Sequence, residues 1–213
     1  MSKSTNTPNM IDYEAERRNF SLSAPDDFNW AYDVTDRWAS DPQHLAMLWV
    51  GPQGEERRLT FADFQRRSNQ VANVLAQLGV ERGDRVFIML PRLVEWWETI
   101  LGVMKIGAVS MPGTTLLTPK DIVYRANLAE AKVVITDAAN ASKFDEVRAQ
   151  CPALQIFIVV GGERADWVNY ETAVSAARDG RDRLATPSSD PCMIYFTSGT
   201  VGYPKMVLHT HAS

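Results

Sequence analysis

Hydrophobic and polar residues form two kinds of pattern along the chain, and each pattern predicts one kind of secondary-structure element. After L-T-F-A-D-F, apolar residues recur at helical spacing until Gly79, a residue type that commonly ends helices. Thr60, with Asp63 three residues later, predicts a capping box where this helix begins. Similar patterns predict helices over 93–106, from Thr118 with Pro119 at the first helical position, over 140–150 and over 170–178.

The first part of the chain has a weaker pattern. Residues 1–27 are polar and show no sustained period, so we expect them to form a loosely packed arm. Trp30, Val34 and Trp38 follow at i, i+4 and i+8, with Ala31 beside them, which predicts a helix with these residues on its apolar face. Residues 28–213 are expected to belong to one domain.

The second pattern is a short continuous apolar run bounded by Gly, Pro or charged residues. Such runs predict buried strands, and they stand in G-D-R-V-F-I-M-L-P, A-V-S-M-P, K-V-V-I-T, Q-I-F-I-V-V-G and P-C-M-I-Y-F-T. These strands alternate with the predicted helices. The alternation predicts an α/β fold with a mostly parallel sheet flanked by helices on both faces.

Composition agrees with a globular protein and narrows its partners. The 213 residues are 45% hydrophobic and 23% charged, with a formal net charge of −4. No basic stripe stands out, which argues against nucleic acid as the main partner. Cys151 and Cys192 lie in or beside apolar runs and lack zinc-ligand spacing, so we expect reduced thiols buried in the core.

Neither a membrane span nor a secretory signal is predicted. The longest apolar-leaning run, residues 93–112, is interrupted by Glu95, Glu98 and Lys105. The N-terminal residues are polar and contain no hydrophobic core of a signal peptide. We therefore expect a cytoplasmic protein.

The stretch T-S-G-T-V-G-Y-P-K, residues 197–205, offers groups that suit phosphate. It combines backbone freedom at glycine with hydroxyl donors and one cation, contributed by Gly199, Gly202, Thr197, Ser198, Thr200 and Lys205. It is not a Walker A loop, because Pro204 precedes the lysine and Met206 follows it. The residues after it are typical of a strand, so the loop is expected to close a hairpin. A glycine-rich surface turn is the alternative.

Y-F-T-S-G-T-V-G-Y-P-K-M resembles the phosphate-binding signature of the adenylate-forming, or AMP-binding, superfamily: acyl-CoA synthetases, peptide-synthetase adenylation domains and luciferases. Further similar segments are F-N-W-A-Y-D-V, L-T-F-A-D-F, L-P-R-L-V-E-W-W, M-P-G-T-T and K-M-V-L-H-T-H. They follow one another in family order from about residue 28 onward. M-P-G-T-T and E-W-W are most similar to the medium-chain acyl-CoA synthetases.

This resemblance implies a two-step reaction and a binding site. A carboxylic acid attacks the α-phosphate of ATP, and coenzyme A then displaces AMP to give a thioester. The residues expected to wrap the β- and γ-phosphates are Thr197, Ser198, Gly199, Thr200, Val201, Gly202, Tyr203, Pro204 and Lys205. Thr200 is expected to lie nearest the Mg²⁺ that accompanies ATP. The catalytic residues of the family are expected beyond residue 213.

The sequence departs from the family pattern in three respects. Val201 stands where many relatives have Ser or Thr, and Leu116 stands where close relatives often have Gln, near the coenzyme A side. Family members are also more than twice as long. The resemblance therefore implies the N-terminal part of the family's large domain, cut after the phosphate-loop hairpin and expected to be inactive alone. An enzyme that loads a carrier protein and a non-catalytic remnant are the alternatives, and acyl length and oligomeric state stay open.

Two other sets of residues are candidates for a site. His209 and His211 stand at i, i+2 on the last predicted strand, where packing near the ligand is favoured over metal binding because no third ligand is evident. Trp96 and Trp97 are expected to pack in the core and near the surface, with a border to a hydrophobic channel as the alternative.

Overall fold

A computed structural model describes residues 11–21, 23–197 and 202–213. The helices are α1 (Tyr13–Asn19), a π-helical segment (Ala31–Asp36), α2 (Phe61–Gln77), α3 (Val94–Lys105), α4 (Pro119–Leu128), α5 (Ala141–Val147), a 3₁₀ turn (Arg148–Gln150) and α6 (Tyr170–Ala176). The strands are β1 (Leu45–Val50), β2 (Glu56–Thr60), β3 (Arg85–Met89), β4 (Val109–Pro112), β5 (Val133–Asp137), β6 (Ile156–Val160), β7 (Val168–Asn169), β8 (Pro191–Thr197) and β9 (Lys205–Thr210).

Seven strands form the main sheet, in the order β7-β6-β5-β3-β4-β8-β9. Neighbouring strands are parallel from β7 to β8, and only the last pair, β8 with β9, is antiparallel. One face of the sheet packs against α2, α3 and α6, and the other against α4 and α5. The predicted α/β fold with a mostly parallel sheet is confirmed.

The two helix starts that sequence alone predicted are both capping boxes. Thr60 and Asp63 exchange hydrogen bonds between side chain and backbone at the start of α2. Thr118 and Asp121 do the same at the start of α4, with Pro119 in the first turn. The predicted box at Thr60 is confirmed, whereas at Thr118 only the helix start was predicted and Asp121 completes a second box.

The predicted face of the first helix is buried only in part. Trp30 and Trp38 are about half exposed, and the buried residues are Ala31, Tyr32 and Thr35. The segment winds as a π-helix, whose wider turn alters the 3.6-residue spacing on which the prediction relied. Tyr32 is also fixed from outside the helix, because its hydroxyl donates to the main-chain oxygens of Lys105 and Asp182.

The antiparallel hairpin β1–β2 was not predicted. It forms a sheet of two strands beside the main one, and the pairing runs from Leu45–Thr60 to Val50–Glu56. Ala46, Met47 and Trp49 pack against a small core cluster that joins the hairpin to α2 and α3. The hairpin therefore adds an apolar layer beside α3.

Side chains of α2 hold the segment that leads into β8. Asn69, Gln70 and Asn73 donate to main-chain oxygens of that segment at 2.8–3.1 Å, on Ala177, Arg178, Asp179 and Gly180. Asp190, the last residue before β8, forms an ion pair with Arg82. These contacts give an irregular segment a fixed path, and so determine where β8 enters the sheet.

Both cysteines are buried as free thiols, as predicted. Burial raises the pKa of each, which keeps the thiols protonated. No helix in the described part of the chain is long and apolar enough to cross a membrane. The expected arm includes α1, which has no buried residue, and residues 1–10 lie outside the described ranges. The domain boundary at residue 28 stays a prediction.

Candidate nucleotide-phosphate site

The predicted phosphate loop closes a hairpin at the carboxyl end of β8. Thr197, the last residue of β8, pairs with Lys205, the first residue of β9. The hydroxyl and the ammonium therefore start from neighbouring positions at the same edge of the sheet. Ligands of α/β proteins commonly bind outside the carboxyl ends of the parallel strands, so this edge is a suitable place for an anion.

The predicted site residues are only partly described. Ser198, Gly199, Thr200 and Val201 lie outside the described residues, so their assigned contacts stay predictions. Gly202 has φ +89°, a left-handed conformation that suits glycine. Tyr203 and Pro204 complete the return of the loop to β9. The structure thus brings Thr197 and the segment 202–205 together at the hairpin mouth.

Helix α4 contacts the returning segment of the loop, residues 203–204, which leads into β9. The Tyr124 hydroxyl donates to the main-chain oxygen of Pro204 at 2.9 Å. The Tyr124 ring also stacks on Tyr203, with 4.7 Å between ring centroids and 22° between planes. A hydrogen bond and a stacked pair acting on adjacent residues restrict both the position and the rotation of this segment. Tyr124 was not singled out from the sequence, because it becomes recognisable only when α4 lies beside the hairpin.

The position of α4 is itself fixed at its start. The Thr118 hydroxyl donates to the Asp121 carboxylate at 2.6 Å, and the Thr118 main-chain N–H donates to it as well. Together these two hydrogen bonds lower the pKa of Asp121. The carboxylate is thereby kept charged at the positive end of the helix. One turn later, Arg125 places its guanidinium 5.2 Å from the ring centre of Phe196 in β8. The helix therefore contacts both the returning segment of the loop and strand β8.

A cleft lies at the carboxyl ends of β3 and β4. It has a volume of about 480 Å³ and is lined by Leu90, Pro91, Arg92, Trp96, Trp97, Thr114 and Thr115. Lys143 holds the loop after β4 by donating to the main-chain oxygen of Thr115 at 2.7 Å. Arg92 and Lys143 were missed by sequence reasoning. The strand-end rule could have found Arg92, since it follows β3 by three residues.

Close packing below this cleft explains one glycine. A Cβ added at Gly113 would stand 2.7 Å from the ring of Phe87 and 3.0 Å from Leu117. The loop after β4 therefore lies tightly against the sheet. Leu116, the position that departs from the resemblance, is 85% exposed beside it. Its side chain is available to whatever occupies this edge.

Trp96 and Trp97 both border a cavity, which favours the alternative given for them. The cavity measures about 420 Å³ and is almost wholly apolar, and its lining includes Trp30, Met47, Ile100, Met104 and Met193 besides the two tryptophans. The rings of Trp96 and Trp97 meet edge to face at 5.1 Å. These two residues also line the cleft at the ends of β3 and β4, so they separate two hollows.

The two histidines pack against other residues of the described chain. His209 is on β9, and its ring meets Tyr195 at 5.7 Å. His211 follows the strand and is buried, and burial lowers its pKa. Among the described residues there is no group of three His, Cys, Asp or Glu that could hold a metal ion. The pair therefore has no described third ligand.

The fold defines an α/β protein with a mostly parallel sheet, and comparison with known proteins gives its family. Residues 34–213 match the model of the AMP-binding enzyme family, so the chain belongs to that family. Its relatives include the human mitochondrial acyl-coenzyme A synthetase ACSM3, which is 38% identical over 98% of this chain. The rat mitochondrial acyl-coenzyme A synthetase ACSM5 is 40% identical over 89% of it.

Solved structures agree with this assignment. The Brucella canis acyl-CoA synthetase superimposes with a TM-score of 0.83 at 29% identity over 93% of this chain. The anthranilate CoA ligase AuaEII, solved with anthranoyl-AMP, gives a TM-score of 0.79 at 26% identity over 89%. The chain spans 37% of the human relative and 34% of the rat relative. It spans 38% of the Brucella chain and 36% of the AuaEII chain.

Proposed function

We propose that this chain supplies the phosphate-binding part of an ATP-dependent acyl-CoA synthetase that works through an acyl-adenylate. The observation that carries the proposal is the pairing of Thr197 with Lys205 at the mouth of the hairpin. It places a hydroxyl and a cation beside the loop whose sequence resembles the family's phosphate signature. Membership of the AMP-binding family and likeness to named acyl-CoA synthetases support the same activity.

The proposed reaction has two displacement steps. A carboxylate oxygen of the acid attacks the α-phosphorus of ATP, and the bond to the bridging oxygen breaks to release pyrophosphate. The thiol sulfur of coenzyme A, after losing its proton, then attacks the acyl carbonyl and AMP leaves. The first step moves negative charge onto the departing pyrophosphate, so fixed donors around the β- and γ-phosphates lower its barrier.

Each described residue has a limited task in this scheme. Lys205 provides positive charge to the β- and γ-phosphates, and the Thr197 hydroxyl donates to a phosphoryl oxygen. Tyr124 keeps the segment 203–205 in place while these contacts form. Ser198, Gly199, Thr200 and Val201 complete the loop in the proposal. Mg²⁺ enters with the nucleotide, where Thr200 is its proposed neighbour and the metal supplies further charge neutralisation.

The acid is proposed to be a medium-chain fatty acid or a similar hydrophobic carboxylic acid. This rests on the segments M-P-G-T-T and E-W-W and on the named relatives. A carrier-protein-loading enzyme differs only in the thiol that accepts the acyl group. The exposure of Leu116 is the observation that supports this second function, because its side chain is 85% exposed at the edge proposed to face the acceptor.

Carboxylate-dependent exchange between ATP and pyrophosphate tests the proposal. The 213-residue chain is compared with a chimera that continues into the rest of the human relative, using acids from acetate to dodecanoate and benzoate. We expect exchange in the chimera only, strongest with acids of medium length, and thioester formation with free coenzyme A. Thioester formation with a carrier protein alone favours the second function. Absence of exchange from both proteins overturns the proposal in favour of a non-catalytic role.

Lys205→Ala tests the phosphate site in the chain itself. Its matched control is Arg37→Ala, which removes an exposed cation outside the loop. We expect weak binding of ATP and of tripolyphosphate by the unaltered chain in calorimetry, about tenfold weaker binding after Lys205→Ala, and little change in the control. Sub-micromolar binding of ATP by the chain contradicts the proposal that the phosphate part alone holds the nucleotide only weakly.

The cytoplasm is the proposed compartment, on the composition of the N-terminal residues. The curated relatives named above are described as mitochondrial, so the compartment needs its own measurement. A fluorescent protein fused after residue 213 of the natural coding sequence gives the location directly. Co-localisation with a mitochondrial marker contradicts the proposal.

A further inference from the structure

Strand β2 of the small hairpin has a free edge. Among the described residues, β1 and β2 form a sheet by themselves, so β2 has β1 on one side and no strand on the other. The Gly51 N–H donates to the main-chain oxygen of Glu55 at 2.8 Å, which fixes which pairs of the ladder are hydrogen-bonded. Glu56 and Arg58 belong to the alternate pairs that are not. Their main-chain N–H and C=O groups therefore point outward, to the free edge.

The two side chains that accompany these groups carry opposite charges. Glu56 and Arg58 are two positions apart, so they lie on the same face of the hairpin, and both are exposed. The other face carries Leu59, which is buried in the cluster that joins the hairpin to α2 and α3. The free edge thus presents one anion and one cation beside outward main-chain donors and acceptors.

The cation between them is turned away from the edge. The Arg57 guanidinium lies 5.8 Å from the ring centre of Trp49, which is in β1. It also forms an ion pair with Glu95 of α3 at 3.7 Å. Since β1 lies on the opposite side of β2 from the free edge, Arg57 has its own counterion and stays clear of a strand that pairs with this edge.

The hairpin is held in place before any partner arrives. The Trp49 indole N–H donates to the main-chain oxygen of Arg92 at 2.8 Å, and Ala46 and Met47 pack beside it in the same small cluster. A strand that is already fixed loses little conformational entropy when it pairs with another. The free edge of β2 is therefore a preformed template for a further strand.

The charge pattern identifies that strand. Proteins commonly protect sheet edges with charged side chains, which repel a second strand. Here the two signs are self-complementary: in antiparallel pairing about a two-fold axis at residue 57, Glu56 of each chain stands opposite Arg58 of the other. We propose that the β2 edge pairs with β2 of a second copy of this chain, giving a sheet of order β1-β2-β2-β1 across two molecules.

This register satisfies the main chain and the charges together. Each Glu56–Arg58 position exchanges two main-chain hydrogen bonds, because both residues point outward, and it places opposite charges directly across from each other. A shift of two residues in either direction sets Glu56 opposite Glu56 or Arg58 opposite Arg58, which is destabilising. The contact is small, so we expect a weak dimer with a Kd on the order of 100 µM.

Sedimentation equilibrium of the 213-residue chain, without nucleotide or acid, tests the proposal. We expect a monomer–dimer equilibrium that weakens as salt is added, since the proposed ion pairs are exposed. Glu56→Arg and Arg58→Glu each set like charges opposite one another. We expect each variant alone to dimerise at least about tenfold more weakly than the unaltered chain.

Mixing the two variants is the deciding experiment. The Glu56→Arg chain carries two cations at the edge and the Arg58→Glu chain two anions, so an equal mixture should associate as a heterodimer at least as well as the unaltered chain does. A variant that was merely unfolded could not be rescued in this way, and circular dichroism verifies folding independently. Glu146→Arg and Arg18→Glu, at exposed positions outside the hairpin, are the controls and should change the Kd by no more than about twofold.

Three results overturn the proposal. One is a chain that stays monomeric up to about 1 mM, tenfold above the expected Kd. Another is a dimer that persists equally in both single variants, which places the contact on a different surface. The third is a mixture of the variants that associates no better than each alone. Since no measurement depends on ATP or on an acid, failure here is separate from failure of the proposed enzyme activity.

Discussion

The Tyr124 hydroxyl donates a 2.9 Å hydrogen bond to the main-chain oxygen of Pro204, across 80 positions of sequence. The same side chain stacks on Tyr203, so one residue of α4 fixes two consecutive residues of the phosphate loop. Pro204 has no main-chain N–H, and its oxygen is therefore its only main-chain hydrogen-bonding group. The contact couples the start of α4, which its capping box fixes, to the position of Lys205.

Tyr124→Phe removes this donor and keeps the stacked ring. We expect the free energy of opening of the returning segment to fall by about 1 kcal/mol. This corresponds to roughly fivefold faster amide exchange at Tyr203 and Lys205. Hydrogen–deuterium exchange with mass spectrometry measures it. Tyr13→Phe, on the exposed helix α1, is the control. Equal exchange in Tyr124→Phe and the unaltered chain contradicts a role for the hydroxyl.

Gly102→Ala tests the close contact between α3 and α2. The added Cβ would stand 2.6 Å from a methyl carbon of Val71, and this clash outweighs the roughly 1 kcal/mol that alanine gains over glycine in a helix. We expect the free energy of unfolding to fall by about 1–2 kcal/mol in urea denaturation. Gly180→Ala meets no atom within 4 Å, so a loss of similar size there contradicts the explanation.

A double variant identifies the atom responsible. Val71→Ala removes the methyl carbon at 2.6 Å and keeps the Val71 Cβ at 2.8 Å, so it relieves part of the clash. We expect Gly102→Ala to be less damaging in the Val71→Ala background than in the unaltered chain, with a coupling of about 1 kcal/mol or more. Additive effects of the two changes would place the cause elsewhere.

Lys105 is fully buried, and its ammonium donates to Asp36 at 2.8 Å and to the side chain of Asn69 at 2.7 Å. Burial lowers the pKa of Lys105 and raises that of Asp36, while their mutual attraction opposes both shifts. Lys105→Met leaves the Asp36 carboxylate without its partner. We expect a loss of about 3–5 kcal/mol in the free energy of unfolding.

Two controls separate charge from packing at this pair. Lys120→Met alters an exposed lysine of α4 and is expected to change stability by no more than about 0.5 kcal/mol. Lys105→Met combined with Asp36→Asn leaves no uncompensated charge, so it should be less destabilised than Lys105→Met alone. A double variant as unstable as the single one would show that lost packing dominates.

His211 is expected to make stability depend on pH. Its pKa is lowered from 6.5, chiefly because burial disfavours the charged ring; Asp190 raises the pKa and Arg82 lowers it. The unfolded chain thus binds this proton at higher pH than the folded chain does. The free energy of unfolding should fall as pH drops from about 6.5 through the lower folded pKa, and this contribution is constant below it.

His211→Gln removes that contribution, and urea denaturation at a series of pH values measures it. The difference between unaltered chain and variant should shrink or reverse on acidification across this window. His44→Gln is the control, since it leaves His211 in place and should retain the dependence. A variant whose stability follows the same pH curve as the unaltered chain contradicts the assignment.

The described part of the candidate site divides between what sequence could and could not predict. The hairpin at Thr197–Lys205 and the glycine at residue 202 follow from residues that are neighbours in the chain. Tyr124 and Lys143 reach the site from helices that are distant in sequence. Nothing in their own local patterns marks them, because a tyrosine or a lysine on a helix has the same spacing whether it faces a loop or water.

The chain by itself determined the elements and their class. Capping boxes, glycines that end helices, and continuous apolar runs act over a few residues. The sequence therefore predicted α2, α4, six strands of the main sheet and its mostly parallel architecture. Tertiary structure alone decided which side of the π-helical segment is buried, and it left Trp30 and Trp38 about half exposed, although their spacing predicted burial. It also paired Lys105 with Asp36 and left apolar side chains of β8 and β9 exposed, among them Tyr195 and Leu208. Burial depends on what packs against an element, and that partner comes from elsewhere in the sequence.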